Sequence, residues 1–172
     1  MRQTKKITMS AMIVALGAAF MVLGGFIEVL DLTACAFASV LVAFVYIEIG
    51  SPYTWFVWLG TTLATFLFGS MLWVQYLLVF GIYPILKAYI EKLPRKVWLI
   101  LKLVYINAML WLIILAYEFI FKLPFFIIDK TWIKVFVYVV MNVAFVAYDL
   151  FITVLIRLYF DRLRNRFKHL LK

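Results

Sequence analysis

Ionisable side chains embedded in apolar runs are where this chain could do chemistry, because a charge in a bilayer is costly and is kept for a reason. Asp149 sits in a long apolar stretch, eight residues before Arg157. At the rise of an α-helix that places it roughly 12 Å inward from a boundary marked by Arg157. Lys87 and Lys102 belong to the same leaflet. These three side chains are expected to form a structural ion pair or hydrogen-bonded cluster that ties together the last three apolar spans. Passage of a proton or cation through Asp149 is the sharper chemistry that the same residues could support.

Uncharged polar residues form a second set. Asn107 and Asn142 lie near the middle of the fifth and sixth apolar spans. Asn107 and Glu118 are eleven residues apart, nearly three helical turns, and Asn142 and Asp149 are seven apart, so each pair is expected on one helix face pointing into a bundle. Towards the opposite membrane face the polar inventory is Glu28, Asp31, Gln75, Glu118 and Asp129, interleaved with Trp73, Tyr76, Trp111 and Tyr138. Aromatic surface carrying a few polar groups is what a small-molecule pocket needs, and Gln75, Tyr76, Asn107, Trp111, Glu118 and Asn142 are the candidate substrate-binding residues. Aromatic belts and helix-joining asparagines explain the same residue types without a ligand. Catalysis is not expected, since there is one His, His169, and no Ser–His pairing, His-rich metal motif or paired-carboxylate signature. The single Cys excludes a disulfide framework or thiol metal cluster, and neither metal nor cofactor is expected.

The elements that must position these residues are membrane helices. Of 172 residues, 68% are hydrophobic and 15% charged, with a mean hydropathy of +1.09, whereas soluble domains carry about 25% charged residues. Apolar runs cover about 7–27, 32–49, 53–68, 71–90, 97–121 and 132–160, each near the ~20 residues that cross a bilayer. The expected fold is therefore all-α: one polytopic bundle of six transmembrane helices. Gly50-Ser51-Pro52 separates two spans, with a glycine after one helix and a proline in the first turn of the next. Gly69-Ser70 is a weaker break, and Gly81 and Pro84 interrupt the fourth span. Six spans place fourteen Lys and Arg on the side of both termini and only Lys122, Lys130 and Lys134 opposite. By the positive-inside bias both termini are expected in the cytoplasm. The net charge of +9 is thus a topology signal, and no nucleic-acid partner is expected.

Two further stretches have a pattern of their own. Leu32-Thr33-Ala34-Cys35 looks like a lipoprotein cleavage box, but the acids before it and the apolar run after it favour Cys35 as a small packing residue in the second helix. Residues 157–172 alternate Phe160, Leu163, Phe167, Leu170 and Leu171 with Arg162, Arg164, Arg166 and Lys168, a basic amphipathic tail suited to an anionic lipid surface on the cytoplasmic side.

In the first span, Thr8, Ala11, Ala15, Ala18 and Ala19 recur at three- and four-residue spacing, a stripe on which another helix can approach closely. With the basic N-terminus ending in Lys5-Lys6-Ile7-Thr8, the Ala11-x-x-x-Ala15 pair, the chain length and the six spans, the sequence resembles the substrate-binding S component of energy-coupling factor (ECF) transporters. The resemblance implies a subunit of the bacterial cytoplasmic membrane that binds a vitamin-like small molecule. It further implies that Ala11, Ala15 and Ala19 dock on a transmembrane coupling protein driven by separate ATPase subunits. The segment between the first two spans, Glu28 to Leu32, is shorter than the loop that covers the ligand in that family. The chain has no Gly-rich phosphate loop of its own, so transport would draw its energy from such partners. A non-transporting membrane scaffold or assembly protein, with every buried polar group structural, is the alternative.

Overall fold

The computed structural model describes residues 3–27, 30–122 and 130–163, with the backbone alone for 95, 96, 162 and 163. Among them every regular element is a helix: α1 (Gln3–Gly25), α2 (Asp31–Glu48), α3 (Ser51–Leu67), α4 (Leu72–Gln75), α5 (Tyr83–Ile90), α6 (Arg95–Leu115) and α7 (Thr131–Leu158), with π turns at Tyr76–Phe80, Ala116–Ile120 and Tyr159–Leu163. Five segments are long and apolar enough to cross a membrane: Gln3–Gly25, Asp31–Glu48, Leu72–Ile90, Val97–Ile120 and Thr131–Asp161. The 17 residues of α3 reach about 25 Å, the lower end of what a span needs, so five to six helices suit a multi-pass membrane protein. Glu28, Asp129 and the tail from Arg164 to Lys172, His169 included, lie outside the described residues.

Two compact units emerge, residues 1–88 with 152–172, and residues 89–151. In the first, α1, α2 and α3 pack together around Ile13, Met21, Cys35, Ala38, Val42, Val45 and Val57. Cys35 is fully buried in α2, as a packing residue would be. Gly50 at φ +106° and Pro52 in the first turn start α3. Small residues set the helix spacing: a Cβ added to Gly24 would stand 2.3 Å from the Ala34 Cβ, and one on Gly17 would stand 3.2 Å from the Thr61 side chain. Along α3, Thr54, Thr61 and Thr65 are fully buried. Thr54 and Thr65 return their hydroxyls to the carbonyls of Gly50 and Thr61 one turn back, which lets threonine face an apolar core without a stranded donor.

The ends of this unit differ in chemistry. At one end Lys6 stands over the Tyr53 ring, the Tyr159 hydroxyl donates to Glu48 Oε1 at 2.8 Å, and Lys87 Nζ donates to Thr153 Oγ1 at 2.8 Å. At the other end α1 finishes, α2 begins and the chain leaves α3 through Gly69, at φ +74°, to enter the fourth span. That span is broken. After one turn, α4 widens into the π turn Tyr76–Phe80, reaches Gly81, and resumes as α5 with Pro84, which has no N–H to extend the ladder. The Trp58 indole N–H donates to the Leu77 carbonyl at 3.2 Å, taking up backbone that the π turn offers. Gly81 permits this contact, because a Cβ there would lie 2.5 Å from Trp58 Cδ1 and 2.9 Å from the Tyr76 carbonyl oxygen.

Candidate functional site

The charged cluster of the second unit is built from three segments. Glu91 follows the last residue of α5, Lys102 lies two turns into α6 and Asp149 lies in α7. Lys102 Nζ donates to both Asp149 oxygens, at 3.0 and 2.9 Å, and to Glu91 Oε1 at 2.7 Å. Its ammonium also stands 4.2 Å from the Trp98 ring centroid, one turn earlier in α6. Lys102 is 4% exposed, whereas the Glu91 side chain is 37% exposed. Two carboxylates and an aromatic face thus surround one buried ammonium, and this replaces the water that the charge would otherwise demand. Glu91 was not among the residues expected here. Its signal was its place directly before the basic break at 92–96, which reads equally well as solvated loop.

A second polar group in this unit sits deeper along α6 and α7. The Tyr138 hydroxyl donates to Asn107 Oδ1, the Asn107 amide donates to Asn142 Oδ1 at 3.3 Å and to the Leu103 carbonyl at 2.7 Å, and the Asn142 amide donates to the Tyr138 carbonyl at 3.0 Å. Asn107 and Asn142 are therefore brought together, with Tyr138 as their third member. Trp111 is 62% exposed and Glu118 is exposed, so neither joins them. Asn107 and Glu118 share a helix face by the turn count, but eleven residues set Glu118 about 16 Å further along the helix, in the π turn Ala116–Ile120.

No family model, curated protein or solved structure matches this chain. Its site must be read from its own geometry.

Gln75 and Tyr76, the other two residues expected to bind substrate, belong to the first unit, at the entry to the broken fourth span. Tyr76 is fully buried, with its hydroxyl beside Thr61 and near Cys35. Gln75 Oε1 and Ser70 Oγ are also buried, and neither has a hydrogen-bond partner. Asp31 opens α2 at the same end. Ser70 was missed from the sequence because Gly69-Ser70 read only as a turn. Among the described residues no group of three or more His, Cys, Asp and Glu could hold a metal ion.

The small-residue stripe of α1 divides into two faces. Ala18 turns inward with Ser10, Ile13, Gly17, Met21 and Gly24. Thr8, Ala11, Ala15 and Ala19 are exposed, and Met12 beside them is 68% exposed.

Proposed function

We propose that this chain is the membrane-embedded substrate-binding subunit of a small-molecule importer, energised by separate subunits. It would lie in the bacterial cytoplasmic membrane with six spans and both termini inside. The observation that carries the reading is the division of α1. The chain uses one small-residue face, Gly17, Ala18 and Gly24, to pack upon itself, and leaves Ala11, Ala15 and Ala19 uncovered. Lipid tails gain nothing from alanine over leucine, whereas a second helix does, because small side chains let backbones approach. A transmembrane coupling protein is the partner such a face suits, as the resemblance to ECF S components implies. Substrate recognition falls to Gln75 and Tyr76 at the entry to the broken fourth span, where Gln75 Oε1 is buried without a partner.

The test is Ala15→Trp. The variant purifies folded, because an exposed position admits the larger side chain, but it no longer co-purifies with a coupling protein or supports uptake. Unchanged partner recovery removes the docking argument. Loss of folding shifts weight to the non-transporting scaffold, a reading favoured by Asn107, Tyr138 and Asn142, which satisfy one another and leave little for a ligand.

A further inference from the structure

The break in the fourth span is a change of hydrogen-bond register, and one side chain from a neighbouring helix holds it. In an unbroken α-helix the Gly81 N–H would bond the Leu77 carbonyl, four residues back. Here it goes to the Tyr76 carbonyl, five back, at 2.7 Å. The Leu77 carbonyl is met instead from α3, by the Trp58 indole N–H at 3.2 Å. Inside a membrane no bulk water is at hand for a carbonyl that loses its donor, so the π turn and the Trp58 bond require each other. Past Gly81 the ladder is already open. Pro84 has no N–H to give to the Phe80 carbonyl, and the Ile85 and Leu86 N–H groups share the Ile82 carbonyl, each at 3.1 Å. A residue displaced from the π turn can therefore be taken up at 81–84 with few regular bonds lost. Gly81 lies against the Trp58 ring and has no side chain to obstruct the passage.

We propose that the fourth span is a two-state hinge, with the observed π register as its resting state and the Trp58–Leu77 bond as its latch. When the latch opens, the Gly81 N–H passes from Tyr76 to Leu77 and the turn tightens from π to α. The α5 segment then turns by up to one residue's worth, roughly 100° about the axis and 1.5 Å along it. The resting register is preferred because the α register strands the indole N–H. Lys87 ties α5 in place. It is 2% exposed, donates to Thr153 Oγ1 of α7 at 2.8 Å and stands 5.9 Å from the Tyr83 ring centroid. Turning α5 withdraws Lys87 from Thr153 and so uncouples the fourth span from α7, at the end of the unit that also holds Lys6 and Tyr159. The hinge stands apart from the importer reading, since it follows from the backbone bonds, and elements with two discrete arrangements are how a small local change is carried further.

Lys87 and Lys102, the buried lysines among the described residues, report the switch. The purified full chain in detergent is reductively methylated with formaldehyde and cyanoborohydride, and both lysines are followed by peptide mass spectrometry. A buried amine reacts through the population in which it is exposed. Trp58→Phe removes the latch donor, so it should speed methylation of Lys87 about tenfold. Lys102, held in the second unit by Asp149 and Glu91, should keep its wild-type rate. Pro84→Ala closes the ladder that takes up the displaced residue, and added to Trp58→Phe it should return Lys87 to within about twofold of wild type. An unchanged Lys87 rate in Trp58→Phe means that the bond is no latch. Lys87 and Lys102 rising together means general loosening, and an undiminished Lys87 rate in the double variant means that the smaller ring alone loosens the core. Each of these three results overturns the hinge.

Discussion

Replacing Asp149 by alanine tests whether the charged cluster holds the second unit together. The Lys102 ammonium has two contacts of hydrogen-bond length to Asp149 and one to Glu91, and 4% of the residue is exposed. Breaking a buried ion pair by deleting one partner costs about 3–5 kcal/mol, mostly from the charge left behind. Here the loss is smaller, since Glu91 at 2.7 Å and the Trp98 face remain to hold the cation. One charge-assisted hydrogen bond is worth about 1.5–3 kcal/mol, so Asp149→Ala should destabilise by about 2–3 kcal/mol. Glu91→Gln should cost under about 1 kcal/mol, because its carboxylate is more than a third exposed and solvent screens it. The measurement is reversible unfolding in mixed detergent micelles, with Lys102→Met added to make a double-mutant cycle. Removing the stranded cation should return part of the loss, giving a coupling of at least about 1 kcal/mol. Asp149→Ala within about 0.5 kcal/mol of wild type, or a double variant showing strict additivity, would refute the reasoning and return Asp149 to the role of ion or proton carrier.

Three other outcomes follow from the packing and the charge distribution. Gly24→Ala brings its Cβ to 2.3 Å from that of Ala34, so α1 and α2 must separate, and unfolding in detergent should show a loss of about 1–3 kcal/mol. Gly81→Ala meets the Tyr76 carbonyl at 2.9 Å as well as Trp58. Because backbone cannot rotate away, the loss should reach the upper part of that range, with a shift in tryptophan fluorescence as Trp58 gives up its bond to Leu77. Reporters fused after Lys96 and Lys172 should read cytoplasmic and one inserted at Asp129 external, in keeping with the fourteen-to-three partition of Lys and Arg; an external C-terminus would overturn the six-span topology.

Helix existence was legible because it depends on what every residue contributes. Apolar runs of membrane length, the Gly50-Ser51-Pro52 break and the glycine–proline interruption at 81 and 84 all mark boundaries close to those observed. Contacts that depend on which side of a helix its neighbours cover, or on how far along it a residue lies, were not. The pairing of Asn107 with Asn142 needs only a mid-span position on each helix, and the structure brings the two together. Glu118 shares a face with Asn107 by the turn count, but eleven residues carry it about 16 Å along the helix to an exposed position. Nor does spacing tell which side of a small-residue stripe faces inward. Ala15 and Ala18 are equally small, and only the approach of α2 and α3 to α1 buries Ala18 and leaves Ala15 uncovered.

The two units treat polarity in different ways. In the second unit Lys102 is met by Glu91, Asp149 and Trp98, and Asn107 by Tyr138, Asn142 and the Leu103 carbonyl, so each polar group brought into the helices has donors and acceptors at hand. Networks of this kind hold helices in register and have little affinity to spare for an outside molecule, since a ligand must first break a bond it can only replace. In the first unit the threonines of α3 close on their own backbone and the Tyr76 hydroxyl meets Thr61, yet Ser10 Oγ, Ser70 Oγ and Gln75 Oε1 are buried without a partner. A ligand bonding there replaces no existing contact, and the whole of each new hydrogen bond counts toward affinity. Selection for stability alone would favour Gln75→Met or Ser70→Ala. Each of the two variants should therefore raise the unfolding midpoint in detergent, and a lowered midpoint would show that the oxygen it removes has a structural partner.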